Sequence, residues 1–133
     1  MRTLRLPYTA AEQFFRRMVF NVVARNQDDH TKNISFLMDA AGQWRLAPAY
    51  DVAYAYQPGN RWTSQHQMSL NGKRDGFTRA DLKAVAREMN IRGADDIVTE
   101  VLTQVARWPE FADEAGMTEE RTVAIGRAHR RLT

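Results

Sequence analysis

Apolar residues recur with a helical period near the start of the chain. After residue 12 they are spaced three to four positions apart, at Phe15, Met18, Val19, Val22 and Val23. This period predicts a buried amphipathic helix from about residue 10 to residue 25. Thr9 and Glu12 have the spacing of a capping box, in which both side chains accept from free backbone amides at the helix start. We therefore expect Thr9 to be the N-cap.

A wholly polar segment, residues 26–33, interrupts this pattern and is predicted to be a loop. Residues 34–38 are short and mainly apolar, and the Asp-Ala-Ala-Gly sequence at 39–42 is typical of a turn. Residues 44–46 then return as a second strand, so we predict a small β-hairpin. Because a hairpin brings its two flanking segments together, the polar loop is expected to lie beside residues 46–52.

The second half of the chain alternates between irregular and helical patterns. Residues 55–77 are rich in glycine and polar residues and are predicted to be mostly irregular. A helix is expected to begin at Thr78 and stop at Gly93, and a second to end near Pro109. A third is expected to begin at Thr118. The predicted fold class is therefore mainly α with a small β-hairpin.

Composition limits the class of protein. The chain of 133 residues has the length of one domain, and its 44% hydrophobic and 26% charged residues favour a folded domain over disorder. The absence of cysteine excludes structural disulfides and thiolate metal sites. No apolar run approaches the roughly 20 residues that span a bilayer. We expect a cytoplasmic protein without a membrane partner.

The basic net charge of +3 permits a nucleic-acid-binding role. Much of the excess lies near the end of the chain, at Arg121, Arg127, Arg130 and Arg131. No aromatic side chains interleave with these arginines, so a solvated helix face is the favoured interpretation. A basic nucleic-acid-binding domain stays the third hypothesis.

The polar residues around the hairpin have the order of a kinase active site. Protein kinases use a catalytic-loop Asp, an Asn five positions later that holds Mg²⁺, and a further metal-holding Asp downstream. Asp28 and Asn33 have that separation, and Asp51 follows after the hairpin. In this interpretation Asp28 accepts the proton of the substrate hydroxyl, and Asn33 and Asp51 hold Mg²⁺. His30 or Lys32 faces the transferred phosphate.

Each of these residues also has a purely structural interpretation. Asp28 can cap a helix end, Lys32 can be a solvated charge, and Asn33 can be a turn residue, but their joint pattern is harder to explain structurally. The chain has no HExxH zinc motif, no G-x-S-x-G nucleophile elbow and no Walker-type phosphate loop. Phosphoryl transfer is therefore the leading chemistry.

Three segments resemble one known family. Residues 26–33 (Asn-Gln-Asp-Asp-His-Thr-Lys-Asn) and 46–52 (Leu-Ala-Pro-Ala-Tyr-Asp-Val) are similar to the C-terminal kinase lobe of the HipA family. Residues 68–73 (Met-Ser-Leu-Asn-Gly-Lys) and the helices after them also resemble that family. The resemblance extends from about residue 9 to residue 132, and the two loop motifs are its most specific part.

The resemblance implies a fold, an activity and a set of site residues. HipA-family members are bacterial toxin serine/threonine kinases of type II toxin–antitoxin systems, associated with persistence. The implied fold is the C-terminal lobe of a protein-kinase-like, HipA-like fold, with Mg²⁺ and ATP as cofactors. Asp28 becomes the catalytic base, Asn33 and Asp51 the metal ligands, and His30 and Lys32 the residues beside the ATP phosphates. Asp29 receives no firm role, although a pairing with His30 is one alternative.

The resemblance also implies a domain arrangement. We expect residues 1–133 to form a single HipA-like C-terminal kinase lobe, with a catalytic loop at 26–33, a metal-binding loop at 46–52 and a helical subdomain at 78–133. The family's phosphate loop and nucleotide lysine lie in an N-terminal lobe, and no GxGxxG-like element occurs in this sequence. The isolated chain is therefore expected to be inactive. A non-catalytic remnant or antitoxin-binding module is the alternative.

The implied partners follow from the family. They are ATP, a protein substrate that in the family is an aminoacyl-tRNA synthetase, and a HipB-like helix-turn-helix antitoxin through which any DNA contact is indirect. A lobe without its neighbour is also expected to expose apolar surface and to self-associate. The aromatic residues expected in that contact are Phe14, Phe20, Trp44, Tyr54 and Trp62.

Overall fold

The computed structural model describes residues 3–132, and the domain limits predicted at residues 1 and 133 lie outside this range. The described residues form five α-helices and a two-stranded antiparallel sheet, which confirms the predicted mainly-α class with a small hairpin. In chain order the elements are α1 (Tyr8–Val23), a 3₁₀ turn (Thr31–Asn33), β1 (Phe36–Met38), β2 (Trp44–Leu46), α2 (Arg79–Glu88), α3 (Ala94–Val105), α4 (Trp108–Glu114) and α5 (Glu119–Ala128).

The core forms where α1 packs against α3, with α2 also against α3. Phe15 and Val19 of α1 are completely buried, as the apolar period predicted. Leu82 of α2 and Val98 of α3 meet them in the same cluster. Burying each such side chain contributes about 1.5–3 kcal/mol. This packing fixes the direction of α1, whose C-terminal end leads into the polar loop.

The predicted capping box at the start of α1 is wrong. The helix begins at Tyr8, with Pro7 as the N-cap, and no side chain caps this end. The amide of Ala10 donates to the Pro7 carbonyl at 3.0 Å, so Thr9 already lies within the first turn. Proline at this position fixes φ and donates no amide hydrogen, which lets the helix start before the threonine.

The end of α1 turns the chain sharply. Ala24 is the C-cap, and Arg25 adopts the left-handed conformation with φ of 60°. The amide of Asn26 then donates to the Asn21 carbonyl at 3.0 Å, which is the hydrogen bond of a Schellman motif. Glycine is the usual residue at the left-handed position that Arg25 occupies. Here the Arg25 guanidinium is held by the Ala128 carbonyl at 2.8 Å and lies over the Tyr56 ring, 4.3 Å from its centroid.

The hairpin follows the prediction closely. Phe36 pairs with Leu46 and Met38 with Trp44, so the strands are antiparallel and in register. The Asp39 carboxylate accepts from the amides of Ala41 and Gln43 in the turn, at 2.9 Å each. These contacts close the turn at one end of the hairpin, so the segments before β1 and after β2 lie together at the other end.

One of the helix ends predicted in the second half of the chain is wrong. Gly93 does not stop α2. It is the N-cap of α3 with φ of 64°, whereas Asn90, with φ of 55°, takes the left-handed position after α2. The helix predicted to end near Pro109 is α3, which ends at Val105. Pro109 itself lies in the first turn of α4, where a missing amide hydrogen costs nothing. The helix predicted from Thr118 is present as α5, but Leu132, which was expected to belong to it, lies beyond its end.

The irregular segment predicted at residues 55–77 contains no helix or strand, only isolated bridges. Trp44, Tyr54 and Trp62 are exposed, as expected, whereas Phe14 and Phe20 are half-buried. Within residues 3–132, none of the helices has the length and hydropathy required to cross a membrane. Self-association through these aromatics stays a prediction.

Asp81 anchors the start of α2 and is almost completely buried. Its carboxylate accepts from the Thr78 amide at 2.8 Å, and the Thr78 hydroxyl accepts from the Asp81 amide, which completes a capping box. Lys73 and Asn71 donate to the same carboxylate at 3.0 and 2.8 Å. The Lys73 ammonium and the Asn71 amide hold the pKa of Asp81 well below its usual range, with the Thr78 amide adding to this effect.

Replacing Asp81 with asparagine should lower the free energy of unfolding by about 2 kcal/mol at pH 7, because hydrogen bonds to a charged partner are lost. Since the folded-state pKa of Asp81 is depressed, its contribution is complete above the unfolded-state pKa near ~4 and is lost as pH falls through the folded-state value. Urea unfolding at several pH values measures this. A stability difference that stays constant as the pH is lowered well below 4 would contradict the assignment.

Candidate active site

Backbone hydrogen bonds bring the two polar loops together. The Gln27 amide donates to the Ala55 carbonyl, and the Ala55 amide donates to the Arg25 carbonyl, each at 3.0 Å. The Asn26 side chain donates to Asn21 Oδ1 at 3.0 Å and to the Asp51 carbonyl at 3.5 Å. The segment after the hairpin therefore runs alongside the start of the loop that precedes it.

A second set of contacts joins the other ends of these loops. The Tyr50 hydroxyl donates to the Lys32 carbonyl at 2.7 Å, and the Ala47 amide donates to the Ser35 carbonyl at 3.0 Å. Arg17 of α1 also donates to the Ala47 carbonyl, at 2.8 Å. The first helix, the polar loop and residues 47–51 are thus linked by hydrogen bonds, two from side chains to backbone carbonyls and one between backbones.

Three predicted site residues converge at this junction. Asp28, His30 and Asp51 each offer one ligand atom, and these atoms lie within 4.8 Å of one another. Asp28 and His30 are half-buried, while Asp51 is exposed. Two carboxylates and an imidazole, from the segments before and after the hairpin, therefore form one cluster. Their predicted roles as base, phosphate contact and metal ligand stay predictions.

Asp51 adopts an uncommon backbone conformation, with φ of 53°. Aspartate and asparagine tolerate the left-handed region better than most residues, because their short polar side chains can hydrogen-bond locally. Such conformations cost about 1–3 kcal/mol and persist where the surroundings enforce them. Here the hydrogen bond from Asn26 to the Asp51 carbonyl and the backbone hydrogen bonds of Ala55 hold the chain at and after this residue.

Asn33 and Lys32 have different surroundings. Asn33 is half-buried, and its Nδ2 donates to the Asp28 carbonyl at 3.1 Å, which leaves its Oδ1 as the atom suited to a cation. Asn33, His30 and Asp51 line the same cavity. Lys32 is exposed and is not among the residues that line this cavity. The structure therefore brings Asn33 to the site and leaves the Lys32 side chain at its edge.

His30 and Asp51 of the cluster line a cavity of about 490 Å³, whereas Asp28 lies next to them outside its lining. One side of the cavity follows α1, where Phe14, Met18 and Phe20 supply apolar surface, and α3 closes another part with Val101. The volume lies in the usual range of small-molecule sites, which combine an apolar lining with a few polar groups.

Asp29 does not pair with His30, contrary to one of the sequence-based alternatives. Its Oδ2 lies 2.9 Å from His66 Nδ1, and its Oδ1 accepts from the Gln67 amide at 2.9 Å. His66 is almost completely buried. Its other ring nitrogen, Nε2, lies 2.9 Å from Arg130 Nη1. Sequence analysis missed His66 and Arg130, because no local pattern links them to the polar loop.

Arg130 joins several parts of the site's support. It donates to the Val22 carbonyl at 2.6 Å, to Gln27 Oε1 at 3.3 Å and to Asp75 Oδ1 at 2.7 Å. Burial alone would raise the pKa of Asp75, but the hydrogen bond from the Gly76 amide and the ion pair with Arg130 together lower it. The Asp75 carboxylate therefore stays charged and neutralises the buried guanidinium.

The donor set suits a divalent cation. Atoms on opposite sides of an octahedral Mg²⁺ are about 4.2 Å apart, since each bond is about 2.1 Å long. The spread of up to 4.8 Å among Asp28, His30 and Asp51 therefore requires only small side-chain movements. Within the described part of the chain, His30 Nδ1 is buried without a hydrogen-bond partner. An imidazole that lies beside two carboxylates and has an unpartnered ring nitrogen can bind a cation through a nitrogen lone pair or donate a hydrogen bond to a phosphate oxygen.

Comparison with known proteins bears on this arrangement. A sequence model of the HipA-like C-terminal domain matches residues 1–125. The matched span contains the polar loop, the hairpin, the loop after it and helices α1–α4, and it ends within α5. Searches of the curated proteins and of the solved structures found no match.

Proposed function

This chain belongs to the HipA-like C-terminal domain family, and we propose that it forms the catalytic-loop lobe of a HipA-like toxin kinase. The reaction is the transfer of the γ-phosphate of ATP to a serine or threonine hydroxyl of a protein. The observation that carries this proposal is the convergence of Asp28, His30 and Asp51 beside the cavity. The order of Asp28, Asn33 and Asp51 along the chain agrees with the order of the corresponding residues in kinase active sites.

Asp28 is the proposed catalytic base. It orients the substrate hydroxyl and accepts its proton as the hydroxyl oxygen bonds to the γ-phosphorus and the bond to the β-phosphate oxygen breaks, releasing ADP. The hydrogen bond from Asn33 to the Asp28 carbonyl supports this role, because it fixes the backbone that carries the carboxylate. General bases that are held in this way contribute about 10²–10⁴-fold to rate.

Asp51 and Asn33 are the proposed ligands of Mg²⁺. Both offer oxygen atoms, which this hard cation prefers. When bound, Mg²⁺ neutralises negative charge on the phosphate oxygens. His30 lies in the same cluster and is assigned to the phosphates, where its ring can donate a hydrogen bond. Lys32 is assigned to the rim of the phosphate site, since its side chain is exposed.

The remaining nucleotide contacts are proposed to come from a second region that covers the phosphates. This chain together with that region is termed the complete kinase. The proposed protein substrate is an aminoacyl-tRNA synthetase, and the proposed regulator is a HipB-like helix-turn-helix antitoxin. Both assignments rest on the family alone.

An assay of phosphate transfer from ATP to a serine of a protein substrate tests the proposal. We expect Mg²⁺- and ATP-dependent transfer by the complete kinase and negligible transfer by the isolated chain, because half of the electrostatic clamping, commonly worth several kcal/mol, is missing from the chain. The assay follows radiolabelled γ-phosphate into protein. Absence of transfer by the complete kinase would favour the alternative that this chain is a non-catalytic remnant. Robust transfer by the 133 residues alone would contradict the proposal that a second region supplies the remaining nucleotide contacts.

A further inference from the structure

Asp29 lines the cavity, but its carboxylate is held by the surrounding protein. Both of its carboxylate oxygens are already engaged, one by the His66 ring and one by the Gln67 amide, each at 2.9 Å. Its side chain is only 12% exposed, and that of His66 only 1%. A carboxylate that is buried and fully engaged costs free energy to desolvate unless its partners are well placed. Its position next to Asp28 therefore requires an explanation other than catalysis.

The hydrogen bonds around His66 determine its tautomer. An arginine guanidinium has only donors, so His66 Nε2 must accept from Arg130 Nη1 and carries no hydrogen. Nδ1 then carries the hydrogen and donates it to Asp29. The Phe77 ring packs edge-on against the imidazole, with centroids 5.3 Å apart, and restricts its rotation. The chain Arg130–His66–Asp29 thus has a single direction of hydrogen bonding.

The hydrogen bonds of Arg130 and His66 hold the polar loop at two residues, Gln27 and Asp29. Gln27 is completely buried, donates to the Thr63 carbonyl at 2.8 Å and accepts from Arg130. Asp29 is held by His66 and Gln67. The residues between and after them, Asp28 and His30, belong to the cluster with Asp51. Because Gln27 and Asp29 are both anchored, the backbone of Asp28 between them and of His30 after them is held in place. Asp29 and His66 also line the cavity beside His30.

We propose that Asp29 is a positioning residue, which acts through His66 and Arg130 to hold the Asp28 carboxylate and the His30 ring in their catalytic orientation. The proposal deepens the proposed kinase function and rests on it for its catalytic part. It assigns His66 as the neutral tautomer with hydrogen on Nδ1. It also assigns Arg130, near the end of the described chain, to the support of the catalytic loop.

The tautomer of His66 is measured on the isolated chain by long-range ¹H–¹⁵N correlation spectra of the imidazole ring at neutral pH. We expect a protonated Nδ1 and an unprotonated Nε2. This readout requires no kinase activity, so it stands even if the proposed function fails. A ring with hydrogen on Nε2, or on both nitrogens, would overturn the hydrogen-bond chain and with it the positioning role.

The substitution Asp29→Asn removes one acceptor while keeping the size of the side chain. The NH₂ group of asparagine must face either the Nδ1 hydrogen of His66 or the amide hydrogen of Gln67, which are both donors. Switching the His66 tautomer would only move the conflict to Arg130. We therefore expect shifted and broadened resonances for residues 28–33. In the complete kinase, kcat should fall about 100-fold with little change in KM for ATP, since small misplacements of a reacting group have effects of this size.

Asp81→Asn is the matched control, because Asp81 is also a buried, fully hydrogen-bonded carboxylate but caps α2 instead. A purely structural role predicts that both variants lose stability and that neither changes kcat while folded. The positioning role predicts a kcat loss and loop perturbation for Asp29→Asn alone. Unchanged kcat together with unchanged resonances at residues 28–33 would overturn the proposal. If the complete wild-type kinase shows no transfer, the proposed function fails, and the loop resonances decide whether Asp29 positions Asp28 and His30.

Discussion

Replacing Asp28 with asparagine should reduce phosphate transfer by the complete kinase about a thousandfold, near the middle of the range for loss of a general base. The amide has nearly the same shape but cannot accept the hydroxyl proton. The fold should be retained, because the substitution keeps the hydrogen bond from Asn33 to the main-chain oxygen of residue 28 and leaves the contacts of Asp29 unchanged. Single-turnover assays at saturating ATP measure the chemical step directly.

Asp113→Asn provides the control for the Asp28 experiment. Asp113 is exposed on α4 and lies outside the cluster, so this variant makes the same change of charge away from the site. It should retain full activity. Near-normal turnover by Asp28→Asn, with thermal unfolding unchanged, would remove Asp28 from the catalytic step.

Replacing Asp51 with asparagine should lower turnover at least about 100-fold at a fixed low Mg²⁺ concentration, because changes even in the groups that support metal ligands cost 10–100-fold in affinity or activity. Asparagine is the appropriate substitution, since it adopts the left-handed backbone at this position as readily as aspartate. The comparison therefore isolates the lost charge. Alanine would add backbone strain of about 1–2 kcal/mol.

The Mg²⁺ dependence of kcat distinguishes a metal ligand from a residue with another role. If Asp51 holds the cation, raising the Mg²⁺ concentration should recover part of the activity of Asp51→Asn. A loss that is independent of Mg²⁺ concentration would contradict the ligand assignment. Turnover equal to that of the wild type at low Mg²⁺ would exclude Asp51 from the site altogether.

The regular elements were predictable because each has a local signature. The apolar period identified α1, and Phe15 and Val19 are at its buried face. The turn at residues 39–42 fixed the hairpin. The capping box at the start of α2 was visible as Thr78 and Asp81, three positions apart. In each case the residues that determine the structure are near one another in the sequence.

Helix ends were harder to predict where two residues compete for one role. Thr9 can cap a helix, but Pro7 precedes it and starts α1 earlier. Gly93 can end a helix, but Asn90 adopts the left-handed conformation first and leaves Gly93 to begin α3. α3 ends before Pro109, as expected, and Pro109 occupies the first turn of α4, where proline is tolerated.

The site was predictable only in part. The spacing of Asp28 and Asp51 around a hairpin indicated that the two would meet, and their ligand atoms lie in one cluster. The partner of Asp29 could not be found in the same way. His66 lies in an irregular segment far along the chain, and Arg130 is farther still. Their contacts depend on tertiary packing, which leaves no periodic or local signal in the sequence.

The central claim is that Asp28, His30 and Asp51 form one site for a divalent cation and the phosphates. Paramagnetic broadening by Mn²⁺ in NMR spectra of the isolated chain tests it most directly. We predict that resonances of residues 28–33 and 51 broaden first, that Asp51→Asn weakens Mn²⁺ binding at least about tenfold, and that Asp113→Asn does not. Broadening spread over exposed acidic residues throughout the chain, and equal in all three proteins, would contradict the claim.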